Sequence, residues 1–298
     1  MGIHNSLAVG IAAAFASVAI GAGWQVATRL GTTTSLQPVD LALLRYCIPA
    51  ILLAPIWWRV RPIPANVDRR VLLAMLIGGG LPFGLLGMVG AQFAPVAHMG
   101  ALLPGAMPLF VALLAAIVLG ERFSVARLAG FMLILLGIAA IGARALLVRD
   151  DGAWRGDLLF LSAAFVWAIY TIAFRRSGMT PWQSSAIICL WSALFVMPLW
   201  LLSGPERVLA APVADLVLQF IMQGIVAGVA GLWLYALAVA GIGPSRAAAI
   251  GALVPVLSAV GGAVLLGEFP DLPVMAGVVL TVCGVFLASG VLALRRAG

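Results

Sequence analysis

Polar side chains that could bind a small molecule are few, because nearly every charged residue lies at an end of an apolar run. His98, followed by Met99, stands at the start of the fourth such run, and an imidazole can both donate and accept hydrogen bonds. The corresponding position in the second half of the chain is Ser245, followed by Arg246. Both places combine hydrogen-bond donors with a helix N-terminus, whose partial positive charge attracts carboxylates. We expect these four residues to contact an anionic substrate group. The alternatives are a packing role for His98 and surface anchoring for Arg246.

Aromatic and amide side chains inside the apolar runs form a second set of candidates. Trp24, Tyr46, Trp167 and Tyr170 could stack on an aromatic substrate. Gln223 lies four residues after another glutamine, on one stripe of a helix that must face the interior of a bundle. We expect these five residues to line a substrate cavity. Packing between helices would account for the same residues.

Three prolines interrupt apolar runs that are otherwise typical of helices. Pro104 and Pro108 lie in the fourth run and Pro255 in the ninth, and each removes a backbone hydrogen bond. Such breaks are tolerated where the freed carbonyls line a cavity or find a neighbour. We expect hinges or a cavity wall at these residues, with static kinks as the alternative.

Arg45 is the one arginine inside an apolar run, one to two turns from its end. A buried guanidinium requires a carboxylate, and the predicted topology puts Glu268 at the same depth. The sequence therefore predicts a structural Arg45–Glu268 pair, and a substrate anchor at Arg45 is the rival interpretation.

Composition defines the elements that must position these residues. Of 298 residues, 64% are hydrophobic and 9% charged, whereas soluble domains are about half apolar and a quarter charged. A crossing of the bilayer needs about 20 apolar residues. Ten runs are long enough, and we predict an all-α integral membrane protein with these transmembrane helices: Leu7–Thr28, Val39–Trp58, Val71–Phe93, Val96–Leu119, Val125–Leu147, Leu158–Phe174, Trp182–Leu202, Val213–Val239, Ser245–Leu266 and Leu272–Leu294.

Several function classes are disfavoured by the same composition. All 17 basic residues are arginines near helix ends, which is typical of a membrane protein and gives no reason to expect nucleic acid. The three cysteines lie in apolar runs without CxxC spacing, so we expect neither a disulfide nor a metal site, and no cofactor. Two histidines, no HExxH motif and no base beside a nucleophile make an intramembrane enzyme improbable.

An internal repeat predicts the architecture. With an offset of 147 residues, Pro108 falls on Pro255 and Glu121 falls on Glu268. The same offset aligns five further pairs: Gly120 with Gly267, Ala129 with Ala276, Gly130 with Gly277, Leu133 with Leu280, and Gly137 with Gly284. Since each unit has five crossings, the second unit enters from the opposite side. We predict two inverted five-helix repeats, residues 1–149 and 150–298, with the substrate held between them.

Arginine counts predict the orientation. With both termini cytoplasmic, the inner side carries more of the arginines than the outer side, as the positive-inside rule requires. We therefore expect a multi-pass protein of the bacterial inner membrane with both termini in the cytoplasm.

The repeat resembles the drug/metabolite transporter superfamily in its EamA-type, ten-helix branch. The resemblance rests on Leu119-Gly120-Glu121 and Leu266-Gly267-Glu268, each followed by Ala-Gly in the next helix, and on Leu44-Arg45-Tyr46. Within that superfamily the chain looks most like YddG-type aromatic amino acid exporters. The resemblance implies export of small metabolites, aromatic amino acids foremost, by alternating access.

Ion coupling and cargo stay open at this point. No acidic residue lies in the middle of a predicted helix, which favours a facilitator without ion coupling, although His98 leaves proton coupling open. The alternatives are export of drugs, hydrophobic cations or other metabolites, or a channel. The expected partners are a small-molecule substrate and lipid, with a monomer or homodimer as the assembly.

Overall fold

Helices make up nearly all of the structure. The computed structural model describes residues 3–147, 152–204 and 206–290, and no strand occurs within them. Ten helical segments, α1 to α10, follow one another through short connections, and a one-turn helix, Glu206–Ala210, precedes α8. They are α1 Ile3–Thr33, α2 Pro38–Leu52 and Ala54–Val60, α3 Arg69–Gly79 and Leu81–Phe93, α4 Val96–Leu102 and Met107–Leu119, α5 Val125–Leu147, α6 Ala153–Ser177, α7 Pro181–Ser203, α8 Val213–Gln219, Phe220–Ala230 and Gly231–Ile242, α9 Pro244–Gly251 and Val254–Leu266, and α10 Leu272–Ala288.

These segments confirm the predicted ten-helix membrane fold. Eight are long and apolar enough to cross a bilayer, and the two pieces of α2, bent by 69°, would form a ninth span. The tenth is α10, an apolar helix whose described part has 17 residues. The predicted division of the repeats at residues 149 and 150 lies outside the described residues and stays a prediction.

Proline positions coincide with breaks in α4 and α9. Pro104 lies in the non-helical stretch between the two pieces of α4. Pro108 and Pro255 stand in the first turn of the second pieces, where a proline N–H would have no helical partner in any case. The breaks are therefore present at related places in both repeats, and their role as hinges remains a prediction.

The ends of α4 and α9 show why the repeated Gly-Glu pair is needed. Gly120 and Gly267 end the two helices in the left-handed conformation, at φ 67° and 71°, which glycine adopts without strain. The next amides, of Glu121 and Glu268, then bond back to the carbonyls of Ala115 and Gly262. Glycine thus lets the chain turn sharply, and each glutamate directly follows the end of its helix.

Close packing of α5 on α10 displays the pseudo-twofold relation between the repeats. A Cβ atom added at Gly130 would lie 2.7 Å from the Gly284 carbonyl oxygen, and one at Gly137 would lie 2.7 Å from that of Gly277. In the repeat, Gly130 corresponds to Gly277 and Gly137 to Gly284. Exchanging the two repeats therefore converts the Gly130–Gly284 contact into the Gly137–Gly277 contact. Glycine lets the two backbones touch, as in other tightly packed membrane helices.

Candidate functional site

We call the two faces of the membrane side A and side B. The α4–α5 and α6–α7 connections, residues 120–124 and 178–180, lie on side A. The α3–α4 and α9–α10 connections, residues 94–95 and 267–271, lie on side B. A cavity of about 980 Å³ lies between α2, α3, α6, α7 and α8. Its wall reaches Arg175, Pro181 and Ala240 at the side-A ends of three helices. At the other end it reaches Arg45, two turns from the side-B end of α2.

Arg45 is the charged group at the inner end of this cavity. Its Nε and Nη1 atoms are buried and have no hydrogen-bond partner among the described residues. The guanidinium lies over the indole of Trp24, with 5.0 Å from Cζ to the ring centroid. A cation–π contact stabilises the charge but provides no hydrogen-bond acceptor. Arg45 is therefore a cation in the cavity wall that no carboxylate of the described residues neutralises.

Aromatic rings form one wall of the cavity along α6. Trp167, Tyr170 and Phe174 recur every three to four residues on one helix face, and all three line the cavity. The ring centroids of Trp167 and Tyr170 are 4.9 Å apart, and those of Tyr170 and Phe174 are 5.7 Å apart and stacked. The row extends from mid-membrane to the side-A mouth, which gives an aromatic or apolar substituent a continuous contact surface.

Tyr46 lines the same cavity and also supports its wall. Its hydroxyl donates to the Gly80 carbonyl oxygen at 2.7 Å, at the break in α3. Ser192 Oγ accepts the Leu81 N–H across the same break, at 3.0 Å. The hydroxyls of Tyr46 and Ser192 thus supply hydrogen bonds to backbone groups at the break, where an apolar environment demands partners.

A buried polar network holds Trp24 in place. The indole N–H of Trp24 donates to Gln223 Oε1 at 2.7 Å, and Gln223 Nε2 donates to Thr28 Oγ1 at 3.0 Å. Gln219 Nε2 donates to the Ala27 carbonyl oxygen at 2.7 Å. Gln223 is fully buried and lies outside the wall of this cavity, and its predicted contact with substrate stays a prediction. It orients Trp24, which in turn lies under Arg45.

The segment of α8 that carries Gln223 is π-helical from Phe220 to Ala230. Such wide turns are rare and occur mostly at functional sites. Here Gly224 and Gly228 contact Ile48 and Pro49 of α2, at 2.5 and 2.6 Å from a Cβ placed on each glycine. The π-helical segment therefore brings α8 directly against the helix that carries Arg45.

The predicted Arg45–Glu268 pair is wrong. Glu268 instead accepts from Arg29 Nε at 2.6 Å and from the Val96 N–H at 2.9 Å. Arg29 also donates from Nη1 to the Ala91 carbonyl oxygen at 2.7 Å. Equal depth in the membrane was the basis of the prediction, but it is α1 that brings an arginine to the end of α9. Together these contacts join α1, α3, α4 and the α9–α10 connection on side B.

A second, related ion pair lies on side A. Arg175 Nη2 donates to Glu121 at 2.9 Å. Arg29 and Arg175 are separated by 146 residues and Glu121 and Glu268 by 147, so the two pairs are equivalent under the repeat. They differ in burial: the side chains are 16% and 19% exposed in Arg29–Glu268, and 51% and 33% exposed in Arg175–Glu121. The pair on side B is enclosed by protein and the pair on side A borders the cavity.

His98 and Met99 lie outside the wall of this cavity, and their predicted contact with a substrate stays a prediction. Met99 is fully buried in the apolar core, and His98 is buried with Nδ1 2.8 Å from Asp157 Oδ1. Asp157 directly precedes the predicted start of the sixth helix at Leu158, but it lies in the second turn of α6 and is itself buried. The helix α6 thus begins five residues earlier than its apolar run indicates and carries a buried acidic residue near its side-B end.

The other predicted contacts have separate outcomes. Trp24 lines a smaller chamber that also meets Arg45. Arg246 is exposed and lines neither chamber, as an ordinary surface anchor would. The side chain of Ser245 lies outside the described part of the structure.

Charge in the cavity has one sign. The charged residues in its wall are Arg45 and Arg175, and no aspartate or glutamate belongs to it within the described residues. Nor do the described residues contain a group of three or more histidine, cysteine, aspartate or glutamate side chains that could hold a metal ion. The site attracts anions and offers no counter-charge to a bound cation.

Comparison with known proteins identifies the class. The sequence model of the EamA-like transporter family matches residues 8–143 and again residues 154–290. The chain belongs to this family. Its members are membrane transporters, so the protein is a transporter and not an enzyme.

Curated relatives of the family match over most of the chain. The protein is 29% identical over 266 residues to a probable amino-acid metabolite efflux pump of Salmonella typhimurium strain LT2, covering 85% of each chain. It is 27% identical over 267 residues to a protein with the same description from Escherichia coli strain K12, covering 85% of this chain and 86% of the other. A crystal structure with a TM-score of 0.63 and 22% identity covers 99% of both chains and shows the same fold.

Proposed function

We propose that the protein exports amino acids, aromatic ones foremost, by binding their carboxylate at Arg45. The observation that carries this proposal is a guanidinium without a carboxylate partner among the described residues, in the wall of an aromatic-lined cavity. Hydrogen bonds to charged groups contribute about 1.5–3 kcal/mol each, and an unpaired buried charge is costly. A substrate carboxylate at this guanidinium would gain from both effects.

Aromatic substituents suit the wall formed by Trp167, Tyr170 and Phe174. Hydroxyl groups of Thr171 and Ser185 in the same wall can accept from an ammonium group. The names of the two curated relatives, amino-acid metabolite efflux pumps, are consistent with this cargo.

Hydrophobic cations, the alternative cargo, are disfavoured by the charge of the site. Two arginines line the cavity and no acidic residue of the described chain faces it. A cationic drug would meet Arg45 without a neutralising carboxylate, and like charges in a low-dielectric site repel strongly. A zwitterion or an anion meets no such barrier.

Alternating access is the mechanism that fits the two ion pairs. In this conformation Arg29–Glu268 closes side B, and the cavity reaches side A beside Arg175–Glu121. Exchange of the repeats' conformations would close side A around its own pair and release the one on side B. If both termini are cytoplasmic, side A is the cytoplasmic side, and this conformation loads substrate for export.

Coupling to protons is not required by the cavity, because its wall holds no acidic residue in the described chain. We propose a facilitator that follows the gradient of its substrate. The buried His98–Asp157 pair is the place to look if transport proves to depend on a pH gradient.

Counterflow in liposomes tests the proposal. Purified protein is reconstituted with tryptophan, phenylalanine, alanine and a hydrophobic cation, with and without a pH gradient, and wild type is compared with Arg45→Gln. We expect wild type to exchange the amino acids without a gradient and Arg45→Gln to lose at least about 90% of the rate, because the charged contact with the carboxylate is lost. Exchange of the cation alone, or full activity of Arg45→Gln in folded protein, would contradict the proposal.

A further inference from the structure

A smaller chamber of about 270 Å³ lies beside the main cavity, between α1, α8 and α9. Arg45, Ala227 and Tyr235 line both spaces, so the two chambers meet at the guanidinium. Pockets that hold whole small-molecule ligands usually have at least about 300 Å³. The smaller chamber is therefore of a size for one substituent of a ligand.

The wall of the smaller chamber is apolar. Val18, Gly21, Gly231 and Val254 contribute only hydrogen or aliphatic groups to it. The hydroxyl of Ser17, also in the wall, donates to the Ala14 carbonyl oxygen at 2.8 Å, so its oxygen can only accept a further bond. A polar substituent would find few partners among these groups, whereas an apolar one loses nothing by entering.

An aromatic surface bounds the chamber where it approaches Arg45. Trp24 lines the chamber, and its indole is fixed by the 2.7 Å hydrogen bond to Gln223 and by the guanidinium 5.0 Å from its centroid. A ligand whose carboxylate binds Arg45 would thus have its nearest substituent beside a rigid ring. Rigid aromatic walls favour planar or bulky apolar groups.

We propose that the smaller chamber is the side-chain subsite of the transporter, and that its volume sets the upper size limit of the amino acid side chain. The carboxylate is held by Arg45 at the junction, and the apolar side chain enters between α1, α8 and α9 against Trp24. The main cavity is then the path to side A. This inference rests on the proposed function, since it requires a substrate with a carboxylate.

Gly251 gives a direct test. It lines the chamber, and a Cβ atom added there meets no atom within 4 Å, so Gly251→Leu adds bulk to the chamber at a position with open space at Cβ. Gly142 in α5 is the matched control, because a Cβ there also meets nothing within 4 Å and Gly142 lines neither chamber. Both variants replace a helical glycine by leucine, Gly251 at the end of the first piece of α9 and Gly142 inside α5.

Counterflow of tryptophan, phenylalanine and alanine is measured for wild type and both variants. We expect Gly251→Leu to lower the tryptophan-to-alanine ratio of transport efficiencies at least tenfold, and Gly142→Leu to leave it at the wild-type value. An unchanged ratio in Gly251→Leu, or an equal loss for all three amino acids, would overturn the subsite.

A second variant tests the subsite if Gly251→Leu does not reach the membrane. Val254→Ala enlarges the chamber, and we expect it to raise the tryptophan-to-alanine ratio of transport efficiencies. A ratio that stayed constant would overturn the subsite. If wild type exchanged no amino acid at all, the proposed function itself would be wrong. The failure of the subsite and the failure of the proposed function can thus be told apart.

Discussion

Removing the charge of Glu268 should shift the transporter toward the conformation that is open on side B. Glu268→Gln keeps the shape of the side chain, but its amide has a single oxygen, so it can accept from Arg29 or from Val96 and not from both. One hydrogen bond therefore loses its charge assistance, and the other is lost. In the conformation open on side B these groups would be separated and hydrated. The substitution therefore destabilises only the conformation that is closed on side B.

The expected magnitude follows from the two contacts. Bonds to charged groups contribute about 1.5–3 kcal/mol and neutral ones about 0.5–1.5 kcal/mol, so the bond that remains loses about 1 kcal/mol and the bond that is lost costs about 2 kcal/mol. The sum is about 3 kcal/mol, which is a population shift of about 150-fold. The equivalent Glu121→Gln change on side A affects a pair that is about half exposed, and such pairs contribute about 0–1 kcal/mol. Its shift should be below about fivefold.

Accessibility of a single cysteine measures the shift. The three native cysteines are replaced by serine, and Ser185→Cys in the wall of the cavity provides the reporter. A membrane-impermeant maleimide is applied from each side of oriented vesicles, and the ratio of side-B to side-A labelling rates is compared among the parent, Glu268→Gln and Glu121→Gln. If Glu268→Gln raised this ratio no more than Glu121→Gln, Arg29–Glu268 would not be the contact that closes side B.

Three further changes have definite expected outcomes. Gln223→Leu leaves the buried indole N–H of Trp24 without a partner, which should cost about 1–3 kcal/mol and lower the melting temperature in detergent; an unchanged melting temperature would contradict the network. Gly130→Leu places a side chain against the α10 backbone and should abolish folded protein on size exclusion, whereas a normal monodisperse peak would refute the close packing of α5 on α10. Burial opposes ionisation of Asp271, but the hydrogen bonds from Arg144 and from the next helix's backbone outweigh it and lower its pKa. This carboxylate therefore stabilises the fold above about pH 4, its unfolded pKa, and less so as pH falls through the lower folded pKa; thermal unfolding of Asp271→Asn should depend less on pH in that range.

The ten helices and the inverted repeat could be predicted because both depend on properties that are local in sequence. Long apolar runs indicate membrane-spanning helices directly. The pairs Gly120-Glu121 and Gly267-Glu268 indicate two helix ends that require a residue in the left-handed conformation. Helix starts were less accurate: polar residues can begin a membrane helix when they find partners, as Asp157 does with His98. Apolar periodicity contains no information about such partners.

Within the site, the aromatic wall was predicted and the charge pairing was not. Depth along the membrane normal can be read from sequence, but the angular arrangement of helices cannot, so Arg45 was assigned the carboxylate that Arg29 in fact binds. The 146-residue separation of Arg29 and Arg175 was the available signal, since it matches the separation of the two glutamates. The network of Gln223 and Trp24 depends on a π-helical segment for which the sequence gives no clear sign.

The central claim is that Arg45 recognises a carboxylate, and substrate analogues test it most directly. Exchange of tryptophan is compared in liposomes with exchange of tryptamine, which has the same indole and ammonium group and no carboxylate. We predict that wild type exchanges tryptophan at least about tenfold faster than tryptamine and that Arg45→Gln removes this preference. Equal exchange of the two compounds by the wild-type protein would contradict the account.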